Sequence, residues 1–331
     1  MDFDQRILDR VASRTVLITG GAGGIGAAAA KVFNEHGANV VLADIPAVKD
    51  QAQNVLASLP HPRKAAYIPV DILNWKQMND LFQRTVEAFG DIHIVVANAA
   101  IMESTETLSM ENMDNEGNLR ESEEAFRVID VNLKGTLNSI SPPLSFPPDL
   151  ASGANYCLPA LRLGMHYVMS SSSKNDTKQL PAIILVASTS GYFGDTGVAA
   201  YVASKHGVIG LLRASQTAAQ KYGIAVKAIA PFFTPTQITT GLTEKWKAAG
   251  LETNTPEMVA RAIVRSSVDD TKSGACTLIS GRFQQELEFT RNNGMPQWLG
   301  EDLSQFMKRA FTFLKDIGGF ALPKGLPGRN A

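Results

Sequence analysis

Tyr201 and Lys205 stand four residues apart in Tyr201-Val202-Ala203-Ser204-Lys205. On a helix this spacing puts a phenol and an ammonium on one face. An unperturbed tyrosine titrates near pH ~10, too high for a base at neutrality. A fixed cation within ~4–6 Å favours the phenolate and lowers that value. The pair is therefore a candidate general acid/base, although a surface Tyr and Lys at this spacing is also common. His206 lies one position from Lys205, off that face, and is read as structural.

A second group with chemical potential lies near the N-terminus. Thr15-Val16-Leu17-Ile18-Thr19 is an apolar, β-branched run of the kind found in buried parallel strands. Gly20-Gly21-Ala22-Gly23-Gly24-Ile25-Gly26 follows directly. Ala27 to His36 then reads as a helix closed by Gly37, and Val40-Val41-Leu42-Ala43 as a second strand ending at Asp44. Glycines at this place let a pyrophosphate approach the backbone N–H groups of a helix start. Asp44 is placed to accept hydrogen bonds from a ribose diol and to repel a 2′-phosphate, and no Lys or Arg lies between Gly20 and Gly26. These features predict a dinucleotide site, with NAD favoured and NADP as the alternative. A generic glycine turn with a flanking acid is the plainer reading. The order strand, glycines, helix, strand, acid is more specific than a glycine motif alone.

The pattern Thr19-Gly20-x-x-x-Gly24-x-Gly26 resembles the cofactor motif of the short-chain dehydrogenase/reductase family, and the resemblance covers most of residues 13–281. It implies an α/β fold, a Rossmann-type doubly wound parallel sheet of about seven strands. Residues 1–281 would form the catalytic domain and residues 282–331 a C-terminal helical extension, in which Leu303 to Leu314 has helix-like apolar spacing. The resemblance also assigns roles. Asp71 would contact the adenine amino group, besides capping the next helix, Trp75 to Phe89. Asn98 begins Asn98-Ala99-Ala100, where the family has Asn-Ala-Gly, and would hold the carboxyl edge of the sheet. Asn132 would bend its helix and offer a backbone carbonyl to a water linked to Lys205. Ser188 stands thirteen positions before Tyr201, as the family's catalytic serine does, with Ser190 as its rival. Thr236 would hold the nicotinamide carboxamide, with Thr234 as the alternative donor. Phe232 stands where the family has Gly, which puts the local turn in question. Residues 237–254 would form a mobile substrate lid, or else a plain surface helix and loop.

The implied chemistry is a catalytic set of Asn132, Ser188, Tyr201 and Lys205. The implied cofactor contacts are Gly20, Gly24, Ile25, Gly26, Asp44, Asp71, Asn98, Tyr201, Lys205 and Thr236. Ser188 would hydrogen-bond the substrate oxygen, Tyr201 would move the hydroxyl proton, and Lys205 would lower the Tyr201 pKa and bind the nicotinamide ribose. The expected activity is interconversion of a secondary alcohol and a ketone on a small, lipophilic molecule. The chain is most similar to hydroxyprostaglandin-dehydrogenase-like members and to fungal oxidoreductases of secondary metabolism. A dinucleotide sensor or scaffold on the same fold is the alternative, because fold does not fix function.

Composition bounds the remaining classes. Lys and Arg number 31 against 32 Asp and Glu, a net charge of -1 that gives no nucleic-acid footprint. The two cysteines, Cys157 and Cys276, form neither a disulfide framework nor a metal set and are read as semi-buried thiols. No stretch approaches the ~20 apolar residues needed to span a bilayer. Met1-Asp2-Phe3-Asp4 is acidic and lacks an apolar run, so a cytoplasmic protein without a signal peptide is expected. Two segments depart from the family pattern. Residues 111–124 are polar and acidic, the mark of a surface excursion. Residues 139–153 carry Pro142, Pro143, Pro147 and Pro148, which forbid a continuous helix. Their insertion, or a retained intron, would interrupt the helix that carries Asn132. Because the family packs subunits on that helix, the usual homo-oligomer comes into doubt. Residues 170–178 read as a polar loop, and His93 as a packed strand residue.

Overall fold

The computed structural model describes residues 5–138, 165–168, 179–194, 196–269, 273–317 and 319. The insertion expected at 139–153, the loop at 170–178 and Cys157 lie outside the described residues. In chain order the elements are β1 (Thr15–Thr19), α1 (Gly24–Glu35), β2 (Asn39–Asp44), α2 (Lys49–Ser58), β3 (Ala65–Pro69), α3 (Trp75–Phe89), β4 (Ile94–Ala97), α4 (Glu123–Ile129) and α5 (Thr136–Asn138). They continue with β5 (Ala182–Val186), α6 (Ala199–Ala214), α7 (Gln216–Tyr222), β6 (Ala225–Pro231), α8 (Thr243–Ala248), α9 (Pro256–Val268), β7 (Cys276–Ser280), β8 (Phe283–Glu286), α10 (Glu288–Asn293), α11 (Met295–Leu299) and α12 (Glu301–Asp316).

The strands form one sheet in the order β3-β2-β1-β4-β5-β6-β7-β8. The first seven are parallel, and β8 runs antiparallel to β7. The strands are apolar without alternation because both faces of the sheet are covered. Val16, Ile18, Val40, Leu42, Ile94, Val96, Ile184 and Ile229 enter one core with α1 and α9. Their neighbours Leu17, Val41, Val95, Ile183, Leu185 and Val226 enter the other with α3 and α6. The expected seven strands are thus eight. The extra one, Phe283-Gln284-Gln285-Glu286, is polar and mostly exposed, as an edge strand can be, so no apolar run announces it.

Two local expectations are corrected by the structure. The cap of α3 is Asn74, whose side chain accepts from the Gln77 N–H, and not Asp71. The Asp71 carboxylate instead accepts from Leu73 N at 2.9 Å, closing a turn one step earlier. Cys276 is fully buried rather than semi-buried. The polar segment 111–124 is a turn closed by a Met113–Leu119 bridge and by Asp114, whose carboxylate accepts from Glu116 N and Asn118 N. Thr255 caps α9 by accepting from Met258 N, with Pro256 in the first turn.

Candidate active site

The strand order reverses between β1 and β4, and open α/β sheets bind ligands at the carboxyl ends beside such a point. Gly20, Asp44, Asn98, Ser188 and Thr236 all sit at or just after the carboxyl end of a strand. The glycine loop shows why its residues are small. Gly20 and Gly24 have φ of +65° and +50°, values that disfavour any side chain. A Cβ on Gly26 would stand 2.1 Å from the Gly20 carbonyl oxygen and 2.8 Å from Asn98 Nδ2. Helix α1 therefore starts in close contact with the end of β1. Its N-cap, Gly23, supplies no side chain to the first N–H groups. This backbone cradle, with bare donors at a helix N-terminus, fits a pyrophosphate.

The neighbouring polar groups hold the cradle in shape. Asn98 donates to Thr19 O at 3.0 Å and to Gly20 O at 3.1 Å. The Thr19 hydroxyl accepts from Asn98 N and Ala99 N, so β1 and β4 are tied where the glycine loop begins. The Asp44 carboxylate accepts from Ala22 N at 3.0 Å and from Ile45 N at 2.8 Å. Thr236 lies across the loop, its Cγ2 3.2 Å from where a Gly24 Cβ would be. The rival Thr234 is buried and occupied: its hydroxyl donates to Phe232 O and accepts from Asn254 Nδ2. Phe232 leaves the turn undisturbed. Its N–H donates to Ile279 O at 2.8 Å, and its φ is not positive, so no glycine is required.

Ser188, Tyr201, Lys205 and Asn132 converge on the start of α6. Ser188 caps a short turn, Thr189–Gly191, by accepting from Ser190 N. Gly191 lets that turn lie against α6, because a Cβ there would meet Lys205 O at 2.7 Å. The Ser188 side chain draws the Tyr201 phenol pKa down. Ser190 enters this set only through its N–H. Lys205 lies 5.6 Å from the Tyr201 ring centroid, and its ammonium donates to Val186 O at 2.9 Å. Asn132 falls in a π-helical stretch, Asp130–Gly135, between α4 and α5. Such stretches often mark functional sites. Its carbonyl accepts from the Thr136 hydroxyl at 2.6 Å. Its side chain grips Ile101 N and O at 2.8 Å each and donates to Ser204 Oγ at 3.0 Å.

The electrostatics differ from the expectation that Lys205 lowers the Tyr201 pKa. Burial pushes the Tyr201 phenol up, the Ser188 side chain pulls it down, and the Glu103 charge pushes it up again. Burial pushes Lys205 itself down to about 8. The ammonium faces the ring and Val186 O, so its field on the hydroxyl does not offset desolvation. Three groups near the site carried no local sequence signal. Glu103 accepts from Ala200 N and Tyr201 N. Ser204 donates to Tyr201 O. Glu288, in the extension, accepts from Tyr192 Oη and takes a bidentate pair of bonds from Arg213. His93 lies away from this set, accepting from Thr15 N at the opposite end of β1. His206 is exposed and bonds Val202 O. Among the described residues no cluster of metal-ligating side chains is present, and no helix is long and apolar enough to cross a membrane.

A family model described as short chain dehydrogenase matches residues 14–144 and 163–247. The chain belongs to the short-chain dehydrogenase family. Oxidoreductases of this family use NAD or NADP. The chain is 26% identical over 319 residues to the short-chain dehydrogenase/reductase prx4 of Penicillium roqueforti, covering 91% of this chain and 84% of that one. It is 27% identical over 346 residues to the short-chain dehydrogenase/reductase ATR7 of Stachybotrys chlorohalonatus, covering 97% and 93%. Secoisolariciresinol dehydrogenase of Forsythia intermedia is 29% identical over 232 residues, covering 70% of each chain. The crystal structure of gox2181 shares the fold, with a TM-score of 0.63 at 22% identity, covering 83% of this chain and 96% of that one.

Proposed function

We propose that this protein is an NAD-dependent oxidoreductase that interconverts a secondary alcohol and a ketone. The observation that carries the reading is Tyr201 one helical turn from Lys205, whose ammonium lies 5.6 Å from its ring, at the same sheet edge as Ser188 and the glycine cradle. Gly20, Gly24, Ile25 and Gly26 seat the pyrophosphate, Asp44 the adenosine ribose and Asp71 the adenine amino group. Asn98 holds the cradle in shape. Thr236 faces the carboxamide, and Tyr201 and Lys205 the second ribose. The bound nicotinamide supplies or accepts the hydride. Ser188 orients the substrate oxygen and Tyr201 transfers its proton. Asn132 keeps the start of α6 in register through Ser204. With its pKa raised, Tyr201 holds its proton at neutrality and is ready to donate it to a ketone. Oxidation requires that proton to leave, so its rate rises with pH. Reactions of this kind gain ~10²–10⁴-fold from the acid/base group.

The carboxylate of Asp44 at the ribose position supports NAD over NADP. An aromatic cluster supports a lipophilic substrate. Phe232 is 43% exposed beyond β6 and meets Trp246 of α8 edge-on at 5.4 Å, while Phe233 stacks on the same indole at 4.4 Å. Of these, Trp246 belongs to the segment 237–254 expected as the lid. Similarity over nearly the whole chain to proteins of Penicillium and Stachybotrys supports a place in fungal secondary metabolism. Thermal-shift titration with NAD and NADP, followed by a dehydrogenase assay on a panel of secondary alcohols, tests the reading. NAD binding with turnover that Tyr201→Phe abolishes is expected. Binding without turnover on any alcohol would replace it with the dinucleotide sensor.

A further inference from the structure

Helix α6 carries Tyr201 and Lys205, yet its own sequence does not close its N-terminus. The N-cap is Val198, which has no capping side chain, and Gly197 before it has φ +77°. The N–H groups of Ala200 and Tyr201 fall in the first turn, where no intrahelical partner exists. Ala200 is buried, so water does not serve these donors freely. Glu103 closes the gap from 97 and 98 residues away. Its carboxylate accepts from Ala200 N at 2.9 Å and from Tyr201 N at 3.0 Å. The residue is only 6% exposed. A buried carboxylate on the positive end of a helix is favourably placed.

The Glu103 contact is one link of a closed ring. Asn132 grips the backbone of Ile101, two residues before Glu103. Asn132 also donates to Ser204 Oγ, and Ser204 donates to Tyr201 O at 2.7 Å. Tyr201 is thus held by its N–H from Glu103 and by its carbonyl from Ser204, and both holds lead back to the segment 101–103. We propose that Glu103 is a positioning residue for proton transfer, resting on the function proposed above: it fixes the backbone of Tyr201 opposite Ser188 and sets a negative charge beside it. The groups that face Tyr201 are Glu103 from the loop after β4, Lys205 from α6 and the Ser188 hydroxyl from the turn after β5. Removing the negative charge makes the phenolate easier to form. Burial keeps the phenol protonated and the Glu103 charge adds to that, favouring the state that ketone reduction uses.

The test separates a charge effect from a purely structural cap. Phenolate absorbance is titrated from pH 8 to 12 in the wild type and in Glu103→Gln, each corrected with its own Tyr201→Phe version. The Tyr201 step is expected to move down by about one pH unit in Glu103→Gln. In Glu103→Asp, which keeps the charge, it is expected to stay in place. In the reduction, with NADH, of the ketone of an alcohol that the wild type turns over, kcat is expected to fall about tenfold in Glu103→Gln, while the thermal shift given by NAD is kept. A lower melting temperature with an unmoved Tyr201 step and unchanged kcat would show a structural cap only and overturn the proposal. A Tyr201 step that moves equally in Glu103→Asp would overturn the charge effect. Should Glu103→Gln not fold, Glu103→Asp decides: with the charge kept and the reach shortened, wild-type kcat overturns the positioning role. The absorbance step needs no substrate, so it stands even where no alcohol in the panel is turned over.

Discussion

Replacing Lys205 by Met is expected to stabilise the protein while ending its turnover. Lys205 is 3% exposed, and its ammonium donates to Val186 O. Burial lowers its pKa from 10.5 to about 8. That displacement corresponds to about 3 kcal/mol against folding when the group is charged. The unfolded chain keeps the proton up to about pH 10.5 and the folded chain loses it near 8. Between these values the unfolded state binds more protons, so stability rises with pH. Below pH 8 both states are protonated and the penalty is present in full. Met keeps the length of the stem and removes the charge, but leaves Val186 O without this donor, a loss of about 1 kcal/mol. The net gain at pH 7 is about 2 kcal/mol, a rise of roughly 3 °C in melting temperature for a chain of this size. Urea unfolding of both proteins at pH 7 and pH 10.5, with the dehydrogenase assay beside it, measures the effect. The advantage of Lys205→Met should shrink toward zero or reverse at the higher pH. A variant less stable than wild type at pH 7, or one whose advantage is the same at both pH values, refutes the reasoning. Such a trade between stability and activity is expected where a buried charge is kept for function.

Gly26→Ala places a Cβ 2.1 Å from Gly20 O and should cost about 1–3 kcal/mol and remove the thermal shift given by NAD; an undiminished shift would contradict the assigned cradle. Glu288→Ala strips Arg213 and Tyr192 of a carboxylate that is itself 4% exposed. Breaking a fully buried pair costs ~3–5 kcal/mol. The Arg213 side chain is 42% exposed, so solvent screening reduces the expected loss in urea unfolding to about 2 kcal/mol. Burial first, and the Arg14 charge second, push the His93 pKa below 6.5, and its ring accepts from Thr15 N. The folded protein therefore prefers the neutral ring, and stability is lost as pH falls from 6.5 through the lowered value. His93→Asn keeps an acceptor near that N–H and should flatten the melting temperature between pH 7 and 5; an unchanged slope in the variant would sink the assignment.

The frame of this fold was legible because parallel strands buried on both faces are continuous apolar runs, and several of them end at a polar or glycine residue at the carboxyl edge of the sheet. Gly20 follows β1, Asp44 ends β2, and Ser188 closes the segment after β5. Long-range capping was not legible. Glu103 sits in Ile101-Met102-Glu103 with no periodicity around it, and its partners are nearly a hundred residues away. Asp71 was expected to cap α3, but it is the Asn74 side chain that reaches Gln77 N, a reach that spacing alone does not give. The direction of the Tyr201 shift depended on burial, and a pair of residue types at i and i+4 carries no measure of desolvation.

The C-terminal extension was the least legible part, and its first residues pack and bond against α6 and the segment after Ser188. Leu287 packs against the core beneath α6. Glu288 then binds Arg213, one residue from the end of α6, and Tyr192, in the chain that leads from Ser188 to that helix. One carboxylate thus joins the far end of α6 to the Ser188 segment, as Glu103 joins its near end to the loop after β4. Helix α6 is clamped at both ends by acids that its own sequence does not supply. A helix held at one end only could tilt about that point and carry Tyr201 away from Ser188. Clamping both ends removes this freedom. On this account the first residues of the extension help fix the position of α6.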